Sequence, residues 1–440
     1  MKNIHKNILH LEPEHGLLND PNGLIYYDEK YYVFHQWNRF ELNHSYKEWG
    51  LFTSKDLLHW VHEGSAILPD SIKDKDGVYS GSSVVKDNKL HIFYTGNTKK
   101  DTYRKSYQCH AVMEDKYKFV KQAECLETPN EFTEHYRDPY ITKINDQSWR
   151  MLVGSQTSDF HGAITSYTST DLTNWQYQGI YYRDQVLDEM CECPNLVDFD
   201  QQKMLLVCPQ KRELGTNKEI SSYSGYLLGE EKKNHFVTDN KIQKLDEGFD
   251  FYAPQVLLDK NGRKIMLAWM SRMNEDQEKK CPTREFGYIH CLTLPREILL
   301  KNGHLYQKPL QEYRNALKMD NYFEGKNIKF KSSSKFNVFE IKTKSKFEMT
   351  LFNQNIKLKY TGNALILSRK DWATNIYESK TIEINNLRNI NFYCDRSALE
   401  IFINNGEKVM SMRYFCFDKN RENIIQADSN VDLAIKHLEL

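Results

Sequence analysis

Residues 17–36 read LLNDPNGLIYYDEKYYVFHQ: a polar cluster, an apolar run, a polar turn at Asp28–Lys30 and a second apolar run. Tyr, Phe, Ile and Val fill both runs, and such side chains suit a pleated, half-buried surface, so the stretch predicts a β-hairpin. The string Asn-Asp-Pro-Asn-Gly taken alone is common turn chemistry. Four further copies of the pattern make it more than that. VYSGSSVVKDNKLHIFYTGN begins at Val78, YRDPYITKINDQSWRMLVGSQ at Tyr136, CECPNLVDFDQQKMLLVCPQ at Cys191 and FYAPQVLLDKNGRKIMLAWM at Phe251. With Asp20, Ser80, Asp138, Glu192 and Tyr252 as anchors, the intervals are 60, 58, 54 and 60 residues. A second echo has the same phase: Ser54-Lys55-Asp56-Leu57-Leu58-His59-Trp60 matches Ser169-Thr170-Asp171-Leu172-Thr173-Asn174-Trp175, 115 residues on.

A period of this length holds four strands and their turns, which is one propeller blade. Five copies predict a five-bladed β-propeller over about residues 10–300. Each innermost strand would line the central channel, so the five polar clusters would meet at one end of it. Beyond Pro309 the pattern changes. Gln311–Lys318 is expected to form a short helix, and KFNVFEIKTKSKFEMTLF, ALILSRK and NFYCDRSALEIFINNGEKVMSMRYF alternate apolar and polar residues as antiparallel strands do. The expected class is all-β: a five-bladed β-propeller catalytic domain at 1–309, followed by a C-terminal β-sandwich at 310–440.

Lys plus Arg and Asp plus Glu both number 60, so the formal net charge is zero. That leaves no electrostatic footprint for nucleic acid or an anionic membrane. The N-terminal residues lack the apolar core of a signal peptide, and no run is long enough to span a bilayer. Nine cysteines occur without a C-x-x-C pair, so Cys191 and Cys193, which flank Glu192, are read as reduced thiols on a buried strand. The expectation is a cytoplasmic protein without metal or cofactor, whose partner is a neutral small molecule or a small anion held by a local basic group; oligomeric state is not legible.

LNDPNG, HQWN, WGLFTSKDLLHW, YSGS, YRDP, ECPNLV, GFDFYAPQ, LAWM and TLPREI occur in this order. Together they resemble glycoside hydrolase family 32, whose members include invertases, sucrose-6-phosphate hydrolases, inulinases and levanases. CDRSALEIFINNGE looks like that family's C-terminal sandwich, so the resemblance covers nearly the whole chain. It implies Asp20 as nucleophile, Glu192 as acid/base and Asp138 as stabiliser of the transition state. Around the fructosyl group it implies Asn19, Gln36, Trp49, Tyr79, Ser80 and Arg137. One departure is visible: Leu17-Leu18 stands where the family commonly has Trp-Met, which removes an aromatic wall beside the nucleophile. The spacing His44-x-x-Lys47-x-Trp49 is similar to bacterial sucrose-6-phosphate hydrolases, and Lys47 is the implied contact for a phosphate, with a solvated surface lysine as the equal alternative.

The chemistry explains why acids are needed on both sides of the bond. One carboxylic acid protonates the departing oxygen, and one carboxylate meets the cationic anomeric carbon. Glu192 is therefore expected to have a raised pKa while Asp20 stays ionised. The retaining mechanism expects these carboxyls about 5–5.5 Å apart. The implied reaction is hydrolysis of sucrose 6-phosphate or sucrose through a covalent fructosyl-enzyme. The alternatives are an exo-acting fructan or fructo-oligosaccharide hydrolase, a fructosyltransferase, an inverting five-bladed glycosidase and a non-catalytic sugar-binding module. Asp246, Glu247 and Asp250 read as a solvated loop at a blade edge.

Overall fold

A computed structural model describes residues 3–100, 103–200, 202–213, 218–332, 336–418 and 420–438. By contacts the chain divides into two compact units. The first takes 16–245 and 252–268; the second takes 1–15, 246–251 and 269–440.

The first unit carries the repeats of a five-bladed β-propeller. Blade one pairs Gly16–Tyr27, Lys30–Asn38, Glu48–Ser54 and Trp60–Ile67 in sequence order, all antiparallel. Blade two opens with Val78–Lys86 and Lys89–Lys100, blade three with Phe132–Asn145 and Ser148–Thr157, and blade four with Met190–Phe199 and Gln202–Arg212. Phe251–Leu258 and Lys264–Met270 begin the fifth. The hairpins form where the turn chemistry demands. Asp28 and Glu29 have φ of 45° and 58°, Asp87 and Asn88 49° and 56°, the doubly left-handed turn that matches strand twist.

The Ser-x-Asp-Leu echo proves to be structural, bond for bond. Ser54 Oγ accepts from the Asp56 and Leu57 amides, and Asp56 Oδ1 from those of Leu58 and His59. Ser169 and Asp171 repeat this with Leu172, Thr173 and Asn174. In both turns the Trp indole donates to the Leu carbonyl, Trp60 to Leu57 and Trp175 to Leu172.

Neighbouring blades are tied by a polar side chain just past each cluster. Asn22 Oδ1 accepts from Gly81 N, Ser82 Oγ donates to Pro139 O and accepts from Ile141 N, and Asn195 Oδ1 accepts from Val256 N. Buried backbone polar groups need such partners, so these bonds set the register between blades. At Gly81 a Cβ would sit 1.9 Å from Phe93 O, which is why blade two has Gly where the other blades have Pro.

The second unit holds a ten-stranded sheet that curls into a sandwich. Its core takes alternate residues, such as Phe339 and Ile341, Phe347, Met349 and Leu351, and Leu399 and Ile401. The helix expected at Gln311–Lys318 spans Gln311–Asn315. One expectation fails here. The carboxyl groups of Asp246 and Asp250 are not solvated; both side chains are buried. Asp246 accepts from Ser411 N and Oγ and meets Arg296 at 3.2 Å, while Asp250 accepts from Arg369 and the Arg413 amide. A buried charge requires such pairing, and single-sequence patterning does not reveal partners 119 residues away. Among the described residues no helix is long and apolar enough to cross a membrane.

Candidate active site

Four inner strands break register at the polar cluster: between Leu18 and Pro21, Val78 and Gly81, Arg137 and Tyr140, and Glu192 and Asn195. Such bulges re-aim side chains. In three blades the residue before Pro takes a left-handed backbone, with φ of 66° at Asp138, 49° at Cys193 and 49° at Ala253. These equivalences correct the repeat by one residue. Cys193 and Ala253, not Glu192 and Tyr252, share the phase of Asp20, Ser80 and Asp138. Glu192 and Tyr252 instead share that of Asn19, Tyr79 and Arg137.

Two adjacent rings of side chains result. In the ring of Asp20, Gln36 Nε2 donates to Ser80 Oγ at 2.7 Å, and Ser80 Oγ donates to Asp20 Oδ2 at 2.8 Å. The relay points the Ser80 proton at the carboxylate, which suits an ionised Asp20 acting as acceptor only. Asp138 Oδ2 accepts from Cys193 N at 3.0 Å, and the Asp138 amide donates to Thr95 Oγ1. In the ring of Glu192, Oε1 accepts from Arg137 Nε and Nη2, while Oε2 accepts from the Tyr252 hydroxyl at 2.7 Å and from Gln210.

The remaining expected residues support these groups. Lys47 is buried; its Nζ donates to Asn19 Oδ1 at 2.8 Å and lies 3.2 Å from His44 Nδ1. Trp49 is 0% exposed, packed with Phe34 and Tyr94, and its indole donates to the Tyr79 carbonyl. Tyr79 itself is half-buried. Cys191 and Cys193 are buried free thiols on the inner strand of blade four, as expected. Among the described residues no His, Cys, Asp and Glu group could hold a metal ion.

Electrostatics separate the acids. Burial, then the charges of Glu192 and Asp20, push Asp138 up to about 7, against the opposing pull of Arg137 and the Cys193 amide. A raised proton affinity thus stands at Asp138, where the sequence alone placed none. Burial works against the Arg137 cation, but Glu192 and Asp138 outweigh it and hold its pKa above the usual value.

The sequence matches the profile of the glycosyl hydrolases family 32 N-terminal domain over residues 10–309. The chain belongs to glycoside hydrolase family 32. It is 35% identical to the sucrose-6-phosphate hydrolase of Bacillus subtilis (strain 168), over 98% of this chain and 93% of that one. It is 34% identical to that of Salmonella typhimurium, over 92% and 88%. The structure of sucrose-6-phosphate hydrolase from Lactobacillus gasseri superposes with a TM-score of 0.88 at 27% identity, covering 100% of this chain and 94% of that one. A Bombyx mori GH32 β-fructofuranosidase shares the fold at a TM-score of 0.86 and 24% identity, covering 100% and 95%.

Within this glycoside hydrolase, residue-by-residue reading missed His135, Gln210 and Thr95 and gave Tyr252 no role. The repeat could have supplied two of them. Tyr252 has the phase of Glu192, and Gln210 closes its hairpin as Gln36 closes the first.

Proposed function

We propose that the protein is a retaining β-fructofuranosidase that hydrolyses sucrose 6-phosphate and sucrose, releasing fructose through a covalent fructosyl-enzyme. The observation that carries this reading is the meeting of Asp20, Asp138 and Glu192, from three blades, each held by its own donors. Asp20 attacks C2 of the fructosyl group as its carboxylate is freed from Ser80. Glu192 gives its proton to the glycosidic oxygen and later takes one from the attacking water. Asp138 loses its proton as fructose hydroxyls bind it, and its charge then stabilises the oxocarbenium-like state. Asn19, Gln36, Tyr79 and Ser80 shape the fructosyl pocket, with Lys47 and Trp49 bracing it from behind. The names of the relatives favour the phosphorylated sugar. The propeller at 1–309 carries the chemistry and the sandwich at 310–440 a structural role, in a cytoplasm that keeps the nine free thiols reduced.

The test is hydrolysis of sucrose, sucrose 6-phosphate and inulin side by side, with the anomer of the first-released fructose followed by NMR. Initial release of β-fructofuranose, absent in Asp20→Ala, is the expected result. Release of the α-anomer would replace the mechanism with direct displacement by water, and full activity in Asp20→Ala would remove Asp20 as nucleophile.

A further inference from the structure

Arg137 is committed to Glu192, but a second guanidinium beside it is not committed to any acid. Arg104, on Tyr103–Asp115 of blade two, points Nη2 at the Glu134 carbonyl, 3.4 Å away, and at His135 Nδ1, 3.2 Å away. Both partners are neutral acceptors. Its Nε is fully buried without a hydrogen-bond partner, and among the described residues Arg104 forms no ion pair. Leaving a buried cationic donor unmatched is costly, and a water, an ion or a ligand can complete the set.

The surroundings sharpen this. His135 Nδ1 also faces Arg137 Nη1 at 3.1 Å. A ring nitrogen between two guanidiniums acts as the acceptor, so His135 is neutral with its proton on Nε2. On the other side of Arg137, Gln210 Oε1 accepts from Arg212 Nε and Nη2 at 3.1 and 2.9 Å. Three guanidiniums are therefore strung through two neutral spacers, starting from the acid that protonates the leaving group. Burial and then the charge of Arg137 hold both Arg104 and Arg212 below the ordinary arginine pKa, and Arg104 feels Arg212 as well. An arginine does not discharge itself at neutral pH; an anion is what relieves the crowding.

We propose that Arg104, with the field of Arg137 and Arg212 behind it, is the subsite for the phosphate of the leaving glucose 6-phosphate. The assignment rests on the fructosidase reading above. Two side chains separate Arg104 from Glu192, which suits a group carried one sugar ring beyond the glycosidic oxygen. A phosphomonoester dianion matches the planar fork of a guanidinium, and the buried Nε–H is a donor ready for it. Lys47, the cation the sequence pattern offered for this role, has its ammonium on Asn19.

The experiment measures kcat/KM for sucrose 6-phosphate and for sucrose in wild type, Arg104→Gln and Arg104→Lys, with inorganic phosphate as a competitor of sucrose hydrolysis. In wild type the phosphorylated sugar is expected to be preferred and phosphate to inhibit competitively. In Arg104→Gln the ratio of the two kcat/KM values should fall about tenfold or more, with phosphate inhibition weakened to match. Arg104→Lys should keep part of the ratio. An unchanged ratio in Arg104→Gln, whether or not both rates drop together, overturns the subsite and assigns Arg104 to bracing His135. A wild type without preference for the phosphate overturns it too while leaving the fructosidase intact. A wild type that cleaves neither sugar overturns the fructosidase reading itself.

Discussion

Arg137 closes on one oxygen of Glu192 with two donors, Nε at 2.9 Å and Nη2 at 2.6 Å. Because a guanidinium only donates, the proton that the proposed mechanism puts on Glu192 belongs on Oε2, on the side of Tyr252 and Gln210. Arg137 also draws down the carboxyl of Asp138.

Arg137→Gln should therefore act twice. Loss of the fixed charge is expected to lower kcat by about 10²-fold, the range seen when one preorganised donor is removed. It should also shift the pH profile. In the proposed mechanism Asp138 works ionised, so kcat/KM of the wild type is expected to rise as pH passes through about 7. Without the Arg137 charge Asp138 holds its proton to higher pH, and the rising limb moves upward. A limb that stays in place would show that another group titrates there.

Tyr252 bonds Glu192 Oε2 at 2.7 Å, and a phenol hydroxyl can donate to a carboxylate or accept from a carboxylic acid. It can thus serve both protonation states that the acid/base visits in one turnover. Tyr252→Phe keeps the packing and removes this partner. The expected result is a kcat for sucrose about tenfold lower, with KM within a factor of two or three, by steady-state kinetics. Unchanged kcat would reduce Tyr252 to packing.

The propeller was legible because a period of nearly 60 residues survives in turns that only a few residue types can make, such as Asp28–Glu29 and Ser54–Leu57. Asp20 and Asp138 were legible as candidates because an acid directly before Pro recurs in phased copies, and Glu192 because it lies two residues before the Pro of its own copy. The one-residue offset at Glu192 was not, since a bulge shifts side chains without changing the alternation that a reader counts. Gln210 and His135 were hidden for a different reason. Gln210 acts on Glu192 from the neighbouring strand and His135 on Arg137 from two residues before it on the same strand, and nothing local distinguishes either from ordinary polar residues. That Lys47 is buried against Asn19 was hidden too, since its flanking sequence does not encode burial.

Lys47 donates to Asn19, the neighbour of Asp20, at 2.8 Å, and in the proposed reading this braces the fructosyl side of the site. Lys47→Met is expected to lower kcat/KM for sucrose and for sucrose 6-phosphate by similar factors, about tenfold each. The comparison is decisive because the two sugars share the fructosyl group and differ at the glucosyl end. A loss confined to sucrose 6-phosphate would return the phosphate contact to Lys47.

The second unit carries its own pH dependence at His10, which is fully buried with Nδ1 3.0 Å from Asp395 and Nε2 3.2 Å from Glu400. Burial works against its charge, but the two carboxylates prevail and raise its pKa to about 9 from 6.5. A cation favoured by folding adds stability that is complete below pH 6.5 and fades as pH rises through 9. The amount is on the order of 3 kcal/mol. Asp395 and Glu400 shift the other way, so their share is present at neutral pH and is lost in acid. Thermal unfolding of wild type should therefore show Tm falling between pH 6.5 and 9 beyond what other groups produce. His10→Gln should unfold at lower temperature at pH 6 and approach the wild type near pH 9.5, since by then the histidine has lost its charge. A constant Tm difference between the two proteins across that window would mean that His10 contributes by packing and not by its proton.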